Sequence, residues 1–111
     1  MEGNELYSFR IIASVGGARS CYIEAIQEAK KGNLEEAKGL VAEGEAMFIE
    51  GHKAHSEMIQ KEAAGEFEAS GLLLMHAEDQ LMSAEGFKTI AEEFIDVYDR
   101  LLVVEERLSH L

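Results

Sequence analysis

A chain of 111 residues, 47% hydrophobic and with a formal net charge of -12, suffices for one small domain around one core. Its 22 acidic against 10 basic side chains repel phosphate backbones and anionic headgroups, which disfavours nucleic-acid and membrane-surface binding. No window approaches the roughly 18 consecutive apolar residues of a membrane span. The N-terminal MEGNELYSFR lacks the basic start and apolar run of a signal peptide. Cys21 is the single cysteine, so no disulfide can form within the chain, and a cytoplasmic location is expected. The absence of proline, the abundance of Ala, Glu, Leu, Lys and Met, and the lack of any alternating strand pattern predict an all-α single domain over residues 1–111.

The first helix is expected from Asn4 to Lys31. Leu6, Phe9, Ile12, Gly16, Arg19, Tyr22, Ile26 and Ala29 recur at steps of three or four, and Ile11, Val15, Ala18 and Ala25 widen the stripe. Gly16 and Gly17 interrupt it at about 1 kcal/mol each relative to alanine, a cost usually offset by close approach of a neighbouring helix. Arg19, among apolar neighbours, is expected to pair with an acid on another helix, and Cys21 to be a small buried apolar residue. Lys30-Lys31-Gly32-Asn33 reads as a stop and a restart. Glycine suits the left-handed residue after a helix, Asn33 can cap the next one, and Glu36 completes a capping box.

The second helix runs from Leu34 to Ala63 with Ala37, Leu40, Val41, Met47, Phe48, Met58 and Ile59 as its apolar positions. It turns polar from Glu50 to Gln60, where His52, His55 and Ser56 lie. A break over residues 64–71 precedes a third helix from Gly71 to the C-terminus, whose end from Glu105 reads as fraying, with no role for His110. Its seam is read as Leu73, Ala77, Gln80, Ala84, Phe87, Ala91, Phe94, Tyr98 and Leu101. Met47, Met58, Met75 and Met82 are read as core filler. Three long helices with two short connections predict an antiparallel up-down-up bundle. Leu72, His76, Asp79, Ser83, Ile90, Phe94, Val97 and Leu101 lie beside the third seam and widen its apolar arc beyond the need of a lone three-helix bundle. Helix three is therefore expected to pack against copies of itself.

His76 and Asp79, three residues apart, share one face of that helix at the edge of the apolar stripe. Spacing alone leaves two readings open: a core histidine with a satisfied partner, or a reactive imidazole beside a carboxylate that must be paired, protonated or metal-bound. The run from Ile11 to Leu102 resembles the IIA component of the lactose/cellobiose class of the bacterial phosphotransferase system. The matching pieces are Ala18-Arg19-Ser20, Lys31-Gly32-Asn33, Glu62-Ala63-Ala64-Gly65-Glu66 and, above all, His76-Ala77-Glu78-Asp79-Gln80-Leu81-Met82. Glu78 and Gln80 stand where members of that family often carry a glutamine and a histidine.

The resemblance implies that His76 is phosphorylated. It also implies that Asp79 sits on the threefold axis of a homotrimer of nine helices and binds a divalent cation, with Mg²⁺ the natural choice for carboxylate oxygens. The implied partners are the carrier protein HPr as donor and a cysteine of the cognate IIB protein as acceptor, with sugar phosphorylated later at the membrane IIC component. His52, His55, Gln80, Ser83 and Lys88 are candidates to support the phosphoryl group, from the same or an adjacent subunit. Two rivals are a non-catalytic helical adaptor with a structural His76, and a metal-dependent hydrolase built on His52, His55, His76, Glu78 and Asp79. The hydrolase lacks a paired H-x-x-x-H or E-x-x-H constellation.

Overall fold

The computed structural model describes residues 3–66 and 68–111, so the readings that touch Met1, Glu2 and Phe67 fall outside the described residues. Three helices follow one another: α1 (Gly3–Lys30), α2 (Leu34–Ala63) and α3 (Leu72–Ser109). None is long and apolar enough to cross a membrane. The C-terminal end, expected to fray, is continuous helix to Ser109, with His110 Nε2 2.8 Å from Glu106 Oε1.

Both connections end a helix in the same way. After α1, the Asn33 amide donates to the Glu28 carbonyl at 2.9 Å and the Gly32 amide to Ala29 at 3.0 Å, with Gly32 at φ +93°. After α2, Glu66 donates to Lys61 and Gly65 to Glu62, each at 3.0 Å, with Gly65 at φ +77°. These are paired six-to-one and five-to-two closures around a left-handed glycine. Asn33 does not cap α2 with its side chain, contrary to expectation. Its Nδ2 donates to Glu28 Oε2 at 2.8 Å instead, because the closure turns it back over the end of α1. That bond, helped by Lys31, holds the Glu28 carboxyl below its usual range.

Cross-helix contacts fix the topology. Glu45 meets Lys88 and His55 meets Glu78, so α2 and α3 run antiparallel. Asn4 meets Ser70 and Arg19 meets Phe87, so α1 and α3 run parallel. The up-down-up order is as expected. The core forms two continuous clusters. One gathers Ile11, Val15, Ala54, Met58, Leu74, Ala77, Leu81 and Ala84. The other gathers Ala18, Tyr22, Ala25, Ala29, Ala37, Val41, Ala91 and Ile95. So much alanine brings the helices close and makes the molecule a rod of 68 × 19 × 18 Å.

The buried seam of α3 differs from the expected one. Leu74, Leu81 and Ile95 are buried, Leu73 and Gln80 are half-buried, and Phe94 and Leu101 are exposed. Apolar residues cover so much of this helix that periodicity could not locate the centre of its buried arc; one position of error turns the face by about 100°. Met75 and Met82 are exposed rather than core, as is Ile59. Arg19 does not meet an acid. Its guanidinium lies 4.8 Å from the Phe87 ring centroid.

Mid-helix glycines divide into two kinds. A Cβ on Gly44 would stand 2.6 Å from Tyr22 Cε1 and 3.1 Å from the Ala18 carbonyl, so this glycine lets α1 and α2 touch. Gly39 faces open space. Gly39→Ala is therefore expected to raise stability by about 0.5–1 kcal/mol through helix propensity alone, seen as a rise of the thermal midpoint.

Candidate functional site

The start of α3 is held from two sides. Asn4 Nδ2 donates to the Ser70 carbonyl at 2.6 Å, and the Ala69 amide donates to Glu62 Oε2 at 3.0 Å. Gly71, at φ +103°, then turns the chain into the helix without a side-chain cap. The first turn bond runs from the Met75 amide to the Gly71 carbonyl at 3.2 Å, so the amides of Leu72, Leu73 and Leu74 precede the ladder. The first turn of α3 holds no acidic residue, whereas α1 begins with Glu5 and α2 with Glu35 and Glu36. In so acidic a chain, this end keeps the positive pole of its helix free of a counter-charge.

His76 stands one turn into α3, exposed, with no hydrogen bond or ion pair within the chain. A helical side chain leans toward the N-terminus, which directs this imidazole over the uncapped first turn. Asp79 is also exposed and has no ion pair within the chain. It lies in a row with Leu72, Met82, Gly86 and Ile90 at steps of three or four. Leu72 is 81% and Met82 69% exposed. The row faces away from the core, and His76 sits at its edge.

The other candidates separate. Half-buried Gln80 follows His76 by one turn and shares its face. His55 Nε2 stands 3.6 Å from Glu78 Oε2. Glu78 is two residues from His76, about 200° around the helix, so this pair lies on the opposite side of α3. His52 packs against Phe48, centroids 6.2 Å apart, in the groove between α2 and α3. Lys88 lines the same groove, committed to Glu45 at 3.3 Å. Within one chain, His52, His55 and Lys88 therefore do not meet His76. Among the described residues no three His, Cys, Asp or Glu side chains gather to hold a metal ion. The five-residue hydrolase constellation is not assembled in a single chain. Sequence reasoning missed the His55–Glu78 pair, although antiparallel helices joined by a short connection already bring these positions to one level.

The arrangement offers an accessible imidazole nucleophile at the positive end of a helix, beside a solitary carboxylate in an apolar row. A sequence model described as "PTS system, Lactose/Cellobiose specific IIA subunit" matches residues 6–99. The chain is 43% identical over 95 residues to the PTS system oligo-beta-mannoside-specific EIIA component of Bacillus subtilis, covering 86% of each chain. It is 33% identical over 96 residues to the PTS system lactose-specific EIIA component of Staphylococcus aureus, covering 86% of this chain and 93% of that one. In three dimensions it is similar to the PTS cellobiose-specific enzyme IIA from Bacillus anthracis, with a TM-score of 0.88 and 40% identity over 93% of this chain and 94% of the other.

Proposed function

Since this chain belongs to the lactose/cellobiose-specific IIA family of the phosphotransferase system, we propose that the phosphoryl group it carries rests on the imidazole of His76. The observation that carries this reading is the position of His76: exposed, unbonded within the chain and directed over the uncapped start of α3. A neutral ring nitrogen attacks the phosphorus of phosphohistidine on HPr. The new N–P bond forms as the donor's N–P bond breaks, and the other His76 nitrogen keeps its proton. The transferred group brings negative charge to the one helix start without acidic side chains, where free amides and the helix dipole favour it. A thiolate of the cognate IIB protein then attacks the same phosphorus and releases the imidazole. Stabilisation of the group by position rather than by covalent assistance is characteristic of phosphoryl transfer.

The oligo-β-mannoside, lactose and cellobiose relatives place the transported sugar in the β-linked oligosaccharide class. The work is done in the cytoplasm, on a chain without a membrane-spanning helix. The exposed row through Leu72, Asp79, Met82, Gly86 and Ile90 supports a homotrimer with α3 innermost, which would cover these apolar side chains. One chain supplies a single carboxylate there. Three copies of Asp79 would repel each other unless protonated or bridged, and a hard divalent cation such as Mg²⁺ suits oxygen donors of this kind. That cation offsets charge at the axis; the phosphoryl group does not pass through it. The decisive experiment incubates the protein with phosphoenolpyruvate, Enzyme I and HPr and reads acid-labile, base-stable label. About one phosphoryl group per chain is expected, and an unlabelled protein would reduce it to a helical adaptor.

A further inference from the structure

Residue Leu102 marks the end of the bundle: its side chain packs 3.8 Å from the Cβ position of Gly32 in the α1–α2 turn. Beyond it, residues 103–109 continue as helix for about 10 Å with no helix of the same chain beside them. This overhang is not polar. Val103, Val104 and Leu108 are exposed on it, and below it Ile90, Phe94, Val97 and Leu101 are exposed on the bundle. Ile90, Phe94, Val97, Leu101, Val104, Leu108 and Leu111 follow one another at alternating steps of four and three. That is an unbroken heptad stripe whose second half runs past residue 99, where the family match ends.

We propose that the C-terminal end of α3 is a parallel self-recognition zipper, formed with the same segment of other copies of this chain. The proposal rests on the self-assembly reading above and adds the element that sets its orientation and register. Three observations select a second copy of this chain as the occupant. First, the stripe has the alternation of a coiled-coil seam, which an identical partner matches without further fitting. Second, Phe94, Leu101 and Leu108 occupy one seam position and β-branched Ile90, Val97 and Val104 the other. Leucine and β-branched residues in that order favour more than two strands.

Third, the flanking charges are complementary in one orientation only. Arg100 precedes the Leu101 seam position and Glu105 follows the Val104 position, five residues on. In a parallel zipper these are the facing flank positions of adjacent helices, so Arg100 of one copy meets Glu105 of the next. In an antiparallel zipper arginine would face arginine and glutamate would face glutamate. Neither Arg100 nor Glu105 has an ion pair within the chain, so both are free for this contact.

Sedimentation equilibrium of the full chain, of a chain ending at Leu102, and of charge-reversed variants tests the proposal. The full chain should be oligomeric. Removal of residues 103–111 should weaken association by at least about a hundredfold, through loss of Val104, Leu108 and Leu111 from the seam. Arg100→Glu or Glu105→Arg alone should each raise the dissociation constant by about tenfold, and the double exchange should restore it. Circular dichroism and His76 labelling confirm that each variant is folded. A monomeric full chain would sink the self-assembly reading itself. An oligomeric full chain indifferent to truncation and to single reversals would overturn the zipper and leave that reading standing. Single reversals that strengthen association would show an antiparallel arrangement and also overturn it.

Discussion

His76→Ala should take up no phosphoryl group, against about one per chain for the unaltered protein, while keeping its helical content and thermal midpoint. The ring is exposed and makes no bond within the chain, so its removal should change stability by no more than about 0.5 kcal/mol. Function and folding are therefore separable at this position. His52→Ala and His55→Ala should still be labelled, because one ring packs on Phe48 and the other faces Glu78 across the far side of α3. The measurement is intact mass after incubation with the donor system, followed by acid treatment to remove an N–P linkage. Wild-type labelling of His76→Ala, or its loss only in His52→Ala, would falsify the assignment.

Tyr22→Ala should be the most damaging single change to the fold, costing about 3–5 kcal/mol in denaturant unfolding. Tyr22 is the largest fully buried side chain among the described residues, and the surrounding core is too rich in alanine to refill the space. Gly44→Ala acts on the same contact from the other side. Its Cβ would stand 2.6 and 2.9 Å from the ring edge, an overpacking cost of about 1–3 kcal/mol against about 1 kcal/mol gained in helix propensity. The two effects should couple: with Tyr22→Leu in place, Gly44→Ala should cost less than it does alone.

The phenol adds a pH dependence. Burial first, and then the carboxylates Glu45 and Glu92 with Cys21, push its pKa up to about 12, against an ordinary value of 10.0. From pH 10 to about 12 the unfolded chain releases this proton while the folded chain keeps it. Stability is thus full below pH 10 and falls across that window. Tyr22→Phe should flatten the decline. It should also be well tolerated otherwise, since the buried hydroxyl has no hydrogen-bond partner.

Helix number, order and bounds were legible to within a residue or two, because glycine and lysine stop signals coincide with the breaks in periodicity at Lys30–Asn33 and Ala64–Gly71. His76 was legible only through the segment around it; its type and spacing allowed a core histidine equally well. What could not be read was rotation about the α3 axis. Leu73 and Leu74, or Phe94 and Ile95, are equivalent to a periodicity count, yet one of each pair faces the core and the other does not. The choice depends on how close α1 and α2 stand, which the alanines and Gly44 decide jointly. Arg19 was misread for a related reason. A cation among apolar residues suggests a buried acid, but the flat face of Phe87 meets it instead.

The long, narrow rod has a further consequence. His76 and Leu108 are separated by 32 residues of one continuous helix, about 48 Å, with two core clusters in between. Electrostatic influence is screened over roughly 8–10 Å at ordinary salt, so the charges at one end do not register at the other. Substitutions at the two ends should combine additively in their effects on stability. Such a molecule can change the surface it shows to an incoming carrier without retuning what holds it together. Divergence at the head of the rod is then free to follow the partner, while the tail drifts on its own schedule.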